Sequence, residues 1–272
     1  MFPPRKILFP VDFSDRCSEA GRMVETFTGH FQAQLTLLYV LEPFAYNDIP
    51  MDATGASRRR LAEYLSEELE QFDVQRVMLE GDPSAQIADY ARAQGFDLIM
   101  LPTHGYGKFR RLILGSVTSN VLREAICPVW TGVHMEHVPR LEDIAFRKIV
   151  CAVDLGKQSC VTLRWAACFA SEFGADLEIV HAIGELGEHL MLEEDLADEA
   201  TLKIQALQTS AGCEGHISVI AEEPASGVCR HALQQKADLL VIGRSMRDGV
   251  LGRLRANAYS IIRQSPCPVV SV

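Results

Sequence analysis

The chain predicts an α/β protein made of two tandem open-sheet domains, each with five parallel strands and helices on both faces. Three observations carry this. First, segments recur in order at a nearly constant spacing: Lys6–Asp12 (KILFPVD) returns as Lys148–Asp154 (KIVCAVD), Asp97–Leu101 as Asp238–Ile242, and Cys127-Pro128-Val129 as Cys267-Pro268-Val269. A repeat unit this long is a duplicated domain, not a solenoid. Second, short and almost wholly apolar runs alternate with amphipathic ones, the pattern of buried parallel strands joined by crossover helices. Third, 272 residues at 48% hydrophobic and 23% charged composition leave each half long enough to bury its own core.

In the first half the expected strands are 6–11, 35–40, 74–79, 98–101 and 129–133. Ser14 is placed to cap a helix whose apolar face is Ala20, Met23, Val24 and Phe27. Leu61, Leu65, Leu69 and Phe72 recur at helical spacing over a charged face. Asp82-Pro83-Ser84 opens a third helix carrying Ile87, Ala88 and Ala91, and Gly115-Ser116 opens a fourth with Val117, Val121 and Leu122 inward. The second half gives strands at 148–153, 177–182, 217–221, 239–242 and 269–272. Strands alternating with helices imply right-handed crossovers. The expected domains are 1–133 and 148–272, joined by a linker at 134–147.

A net charge of −10 and a pI near 5.3 oppose attraction to nucleic-acid phosphate, and the Arg58-Arg59-Arg60 run is too short to offset it. No run approaches the ~20 apolar residues of a membrane span, and the first residues lead directly into a strand without a signal-peptide pattern. A cytoplasmic protein without nucleic-acid or membrane partners is expected. Eight scattered cysteines without a CxxC pair read as reduced core thiols. The acidic run from Glu185 to Glu199 reads as a solvated helix face. His134 and His137 lack the further ligands a zinc site needs, so no metal centre is expected.

The segment with chemistry is 102–118. It leaves a strand at Pro102 and Thr103, passes through a loop with His104, Gly105, Lys108, Arg110 and Arg111, and enters a helix at Gly115-Ser116. Glycine lets a backbone approach closely. A helix N-terminus offers free N–H groups and a favourable dipole to an anion. Ser116 and Thr118 add hydroxyls. His104 beside Gly105 reads as fixing the loop through a hydrogen bond. Open α/β sheets bind ligands beyond the carboxyl ends of their strands, where such a segment lies.

Gly105, nine residues, then Gly115-Ser116 resembles the nucleotide loop of the universal stress protein family, with Pro102 standing in place of that loop's leading glycine. The repeated segments also fall where that family has its first, fourth and fifth strands, in both halves. The resemblance implies a Rossmann-like fold in each half and an adenine nucleotide, ATP with magnesium, held by the first. It places Pro10, Val11, Asp12 and Val40 against adenine and ribose, and Pro102, Thr103, Gly105, Gly115, Ser116, Val117 and Thr118 against ribose and phosphates. Asp12 also suits helix entry beside Ser14. In the second half Met246 replaces the loop glycine and Ala256-Asn257 replaces Gly-Ser. Asn257 is expected to cap the helix, and the half to be a degenerate structural or partner-binding copy. The family further implies that the last strands, 129–133 and 269–272, pair antiparallel in an internal pseudo-dimer, with a homodimer of whole chains left open.

No Walker loop, Ser-Gly-Gly loop or dinucleotide glycine motif follows the first strand, and no nucleophile–base set is evident. No dedicated catalysis is expected. A nucleotide-free interaction module and a weak ATPase stand as alternatives.

Overall fold

The computed structural model describes residues 2–42, 53–102, 114–132, 144–185, 190–244 and 253–272. The chain divides into two compact units, the first within Pro3–Ile144 and the second Ala145–Val272.

The first unit runs β1 (Lys6–Pro10), α1 (Asp15–Phe31), β2 (Gln34–Leu41), α2 (Ala53–Glu63), β3 (Val74–Glu80), α3 (Pro83–Gln94), β4 (Leu98–Pro102), α4 (Ser116–Glu124) and β5 (Val129–Gly132). Its strands lie in the order β3-β2-β1-β4-β5, all parallel. The second unit repeats the plan with β6 (Lys148–Ala152), α5 (Ser159–Phe173), β7 (Asp176–Ala182), α6 (Leu190–Ala211), β8 (His216–Ile220), α7 (Pro224–Gln234), β9 (Leu239–Ile242), α8 (Arg253–Gln264) and β10 (Val269–Ser271). Its order is β8-β7-β6-β9-β10, again parallel.

Strand identity follows from burial on both sheet faces. Ile7, Leu8 and Phe9 are fully buried, as are Leu37, Leu38, Leu98, Ile99 and Met100. Burying each such side chain contributes about 1.5–3 kcal/mol. Helix ends carry the chemistry their sequences announce. The Ser14 side chain accepts from the Cys17 N–H and Asp82 from the Ala85 N–H, with Pro83 following Asp82. Gly95 at φ 65° closes α3 in the left-handed conformation that glycine takes without steric cost.

One expectation is corrected. The leucines 61, 65 and 69 do not share one helix: α2 ends at Glu63, and residues 64–71 form turns around Leu65 at φ 53°. All three leucines are nonetheless buried. Turns with hydrogen bonds from Leu69 N–H to Leu65 and from Phe72 N–H to Leu69 keep the apolar spacing without a continuous helix.

The acidic run behaves as expected where it is described: Glu194, Asp195, Asp198 and Glu199 are at least partly exposed. No described helix is long and apolar enough to cross a membrane.

Candidate functional site

β1 is the middle strand of the first unit. From it the chain winds to one side through β2 and β3, then returns to the other side through β4 and β5. The connections leaving β1 and β4 therefore diverge, which opens a crevice at their carboxyl ends. Pro10 closes β1, and Val11 and Asp12 follow it. Pro102 closes β4, Val40 is the penultimate residue of β2, and Gly115 caps α4. Thr103, Gly105 and the basic residues of the loop lie outside the described residues, as do Met246, His134 and His137.

The ladder between β1 and β4 is short, and two prolines explain it. Alternate residues of a parallel strand bond to opposite neighbours. Val11 N–H donates to Leu38 in β2 at 2.9 Å, so positions 8 and 10 face β4. Ile99 N–H donates to Pro128 at the entry to β5, so positions 100 and 102 face β1. The pairing holds at Ile7–Leu98 and Leu8–Ile99 and stops. The next two donors across this gap belong to positions 10 and 102, and proline has no N–H. In the second unit the corresponding residues are Ala152 and Gly243, and the β6–β9 pairing continues through Cys151–Val241 and Ala152–Ile242. The ladder bordering the crevice thus ends two pairs earlier in the first unit than in the second.

The turn after β1 is built on Asp12. Its Oδ1 accepts from the Ser14 N–H at 2.9 Å and from the Cys17 thiol at 3.0 Å. Burial, with the Asp12 charge second, pushes the Cys17 thiol up to about 12, so that sulfur stays a proton donor at neutral pH. Asp154 does the same work in the second unit, accepting from Gly156 N–H and Ser159 Oγ, both at 2.8 Å. The residue after each aspartate is left-handed without being glycine: Phe13 at φ 60° and Leu155 at φ 59°. Such a conformation costs about 1–3 kcal/mol and persists where surroundings over-determine it.

Those surroundings include residues that sequence reasoning missed. The Phe13 ring meets Tyr39 at 4.6 Å and Tyr64 at 5.2 Å between centroids. The Arg60 guanidinium lies over it at 4.6 Å and donates to the Phe13 carbonyl at 3.3 Å. The Tyr64 hydroxyl contacts Ser18 Oγ at 3.1 Å and the Ser14 carbonyl at 3.4 Å, and burial pushes it well above its usual range. No spacing motif marks Phe13. Arg60 is the last of the short arginine run, which sequence reasoning weighs only as charge.

The start of α4 differs from the capped helices. Ser14, Asp82 and Glu223 each cap with a side chain, whereas Gly115 offers none. Ser116 is exposed, Val117 half-buried, and Thr118 buried on the inner face at 2% exposure. An accessible helix start without a side-chain acceptor suits an anion. In the second unit α8 begins at Arg253, so Asn257 lies inside the helix and does not cap it. Arg253-Leu254-Arg255-Ala256 are all good helix formers, and none stops the helix as Gly115 does.

Comparison with known proteins fits this duplicated geometry. The sequence model of the universal stress protein family matches residues 3–131 and again 145–272. The chain belongs to the universal stress protein family. A universal stress protein of Methanocaldococcus jannaschii is 29% identical over 138 residues, covering 46% of this chain and 79% of its own. A second from the same organism is 27% identical over 151 residues, covering 46% and 92%. Among solved structures, a universal stress protein from Archaeoglobus fulgidus superposes with a TM-score of 0.76 at 22% identity, covering 99% of this chain and 98% of its own. The tandem fold of this universal stress protein is therefore shared along nearly its whole length.

Proposed function

We propose that the first unit binds an adenine nucleotide, ATP with magnesium, as a regulatory or sensing ligand in a stress response. The second unit acts as a degenerate structural or partner-binding copy. The observation that carries this is the β1–β4 ladder, which stops short of Pro10 and Pro102 in the first unit and runs on through the matching residues of the second. The apolar strand ends at Val11 and Val40 suit the purine. Pro10 and Pro102 offer strand-end carbonyls, that of Pro10 shared with the Cys17 thiol at 4.0 Å, and Asp12 would meet the ribose. Gly115 and Ser116 would hold phosphate through backbone N–H groups and a hydroxyl. Among the described residues no group of three or more His, Cys, Asp or Glu is placed to hold a metal. Magnesium in this reading rides on the phosphates and its own waters, as it commonly does.

Calorimetric titration with ATP and magnesium tests the reading. The wild type should bind, and Gly115→Val, whose branched side chain fills the helix start, should bind at least about tenfold more weakly, or ~1.4 kcal/mol. Equal affinities would remove the phosphate argument.

A further inference from the structure

Five of the eight cysteines, Cys17, Cys127, Cys151, Cys229 and Cys267, are buried as the sequence suggests, but Cys160 and Cys213 are half-buried and Cys168 is exposed. These three collect where α5 meets the end of α6. Cys160, Arg164 and Cys168 follow one another at intervals of four along α5, which puts them on one helix face. One guanidinium nitrogen of Arg164 donates both to the Cys160 sulfur, at 3.7 Å, and to the Ser210 carbonyl in the last turn of α6, at 3.1 Å. Gly212 at φ 69° then turns the chain, and the Cys213 N–H donates back to Gln208 at 3.1 Å. That bond folds Cys213 over the helix end instead of carrying it away. Burial first, then electrostatic interaction with Cys160 and Cys168, pushes the Cys213 thiol up.

The first unit shows that the fold does not need these thiols. Counted by strand register, Ser18, Thr26 and Phe72 occupy the corresponding positions, while Arg22 matches Arg164.

We infer that the α5–α6 corner is a two-thiol redox switch, in which Cys160 is oxidised by a hydroperoxide and Cys213 resolves it to a disulfide. The Arg164 guanidinium lies against the attacking sulfur at 3.7 Å and fixes where it sits. That sulfur attacks a peroxide oxygen. The S–O bond forms, the O–O bond breaks, and the departing alkoxide takes up the thiol proton to leave as an alcohol, or as water from hydrogen peroxide. The Cys213 sulfur then attacks the Cys160 sulfenic sulfur. The S–S bond forms and hydroxide leaves with the Cys213 proton as water. Two thiols are oxidised by two electrons, and one peroxide is reduced.

The test treats the full-length native protein with hydrogen peroxide and maps disulfides by mass spectrometry of a non-reducing digest. A Cys160–Cys213 linkage is expected in the wild type and in Cys168→Ser. Cys213→Ser should accumulate a dimedone adduct on Cys160, and Arg164→Ala should slow that labelling severalfold. Cys213→Ala serves in place of the serine variant if the latter fails to fold. A linkage through Cys168, dimedone on Cys168 in place of Cys160, or no linkage in the folded protein would overturn the assignment.

Discussion

Replacing Pro10 with alanine, the residue type found at the matching position 152, separates a structural from a ligand-binding role for the open ladder. The new alanine regains an N–H facing the Met100 carbonyl, so the β1–β4 pairing can advance toward Pro102. One ladder hydrogen bond adds about 0.5–1.5 kcal/mol net. Losing a proline whose conformation suits the strand removes about 0.4–1 kcal/mol through the unfolded chain. The two terms nearly cancel, so stability should move by no more than about 1 kcal/mol. The advancing ladder, by contrast, would engage backbone groups at the position proposed for the ribose and purine. ATP affinity should fall at least about tenfold, ~1.4 kcal/mol. Urea denaturation monitors the first quantity and isothermal titration calorimetry the second, on the same preparation. Pro10→Ala that is as stable as the wild type and binds ATP equally well would refute the link between the shortened ladder and the ligand. Adding Pro102→Gly, which reproduces both residues of the second unit, should deepen the loss.

Glu178 in β7 is buried, and its Oε1 accepts from Ser218 at 2.7 Å and from ring nitrogens of His216 and His231, each at 3.1 Å, while Lys148 lies 3.5 Å from Oε2. Burial alone would raise this carboxyl, but the hydrogen bonds win and hold it below its usual value. Its contribution is therefore present above the unfolded pKa of ~4.3 and is lost as pH falls through the lower folded value. Glu178→Ala should cost about 3–5 kcal/mol at neutral pH by stranding its donors, with the gap to wild type closing in acid; a gap independent of pH would contradict the assignment. Gly227 in α7 has no room for a side chain, since a Cβ there would stand 2.8 Å from Glu222 Cβ and 3.0 Å from Ile220 Cδ1. Gly227→Ala should lower thermal stability by about 1–3 kcal/mol of crowding against ~1 kcal/mol of helix propensity gained, and an alanine variant with a higher melting temperature would show that the contact yields.

The fold was legible because its strands are buried on both faces, and an apolar run such as Ile7–Phe9 has few other uses. The cap at Asp82 was legible for a local reason, a short carboxylate ahead of proline. The end of α2 was not, because Leu61, Leu65 and Leu69 are buried whether helix or turns carry them, so periodicity cannot tell the two apart. Asn257 misled in the opposite direction. A good capping residue caps only where the helix begins, and the preceding arginines and leucine extend α8 past it. Pro102 read as a substitution in a glycine loop. Its meaning depends on Pro10, far earlier in the chain but level with it across the sheet, and only the strand register joins them. The Phe13 cluster depends likewise on tertiary approach, since Tyr39, Arg60 and Tyr64 reach it from three separate elements.

That cluster has a mechanical consequence. Arg60 grips the carbonyl of Phe13, and Tyr64 reaches that of Ser14, so the turn bearing Asp12 is fastened to the end of α2 and to the turn beyond it. A ligand that pulls on Asp12 would load α2 as a lever, with the Phe13 ring as its fulcrum, and the surface on which that lever ends is where an occupied site would differ from an empty one to anything touching the protein from outside.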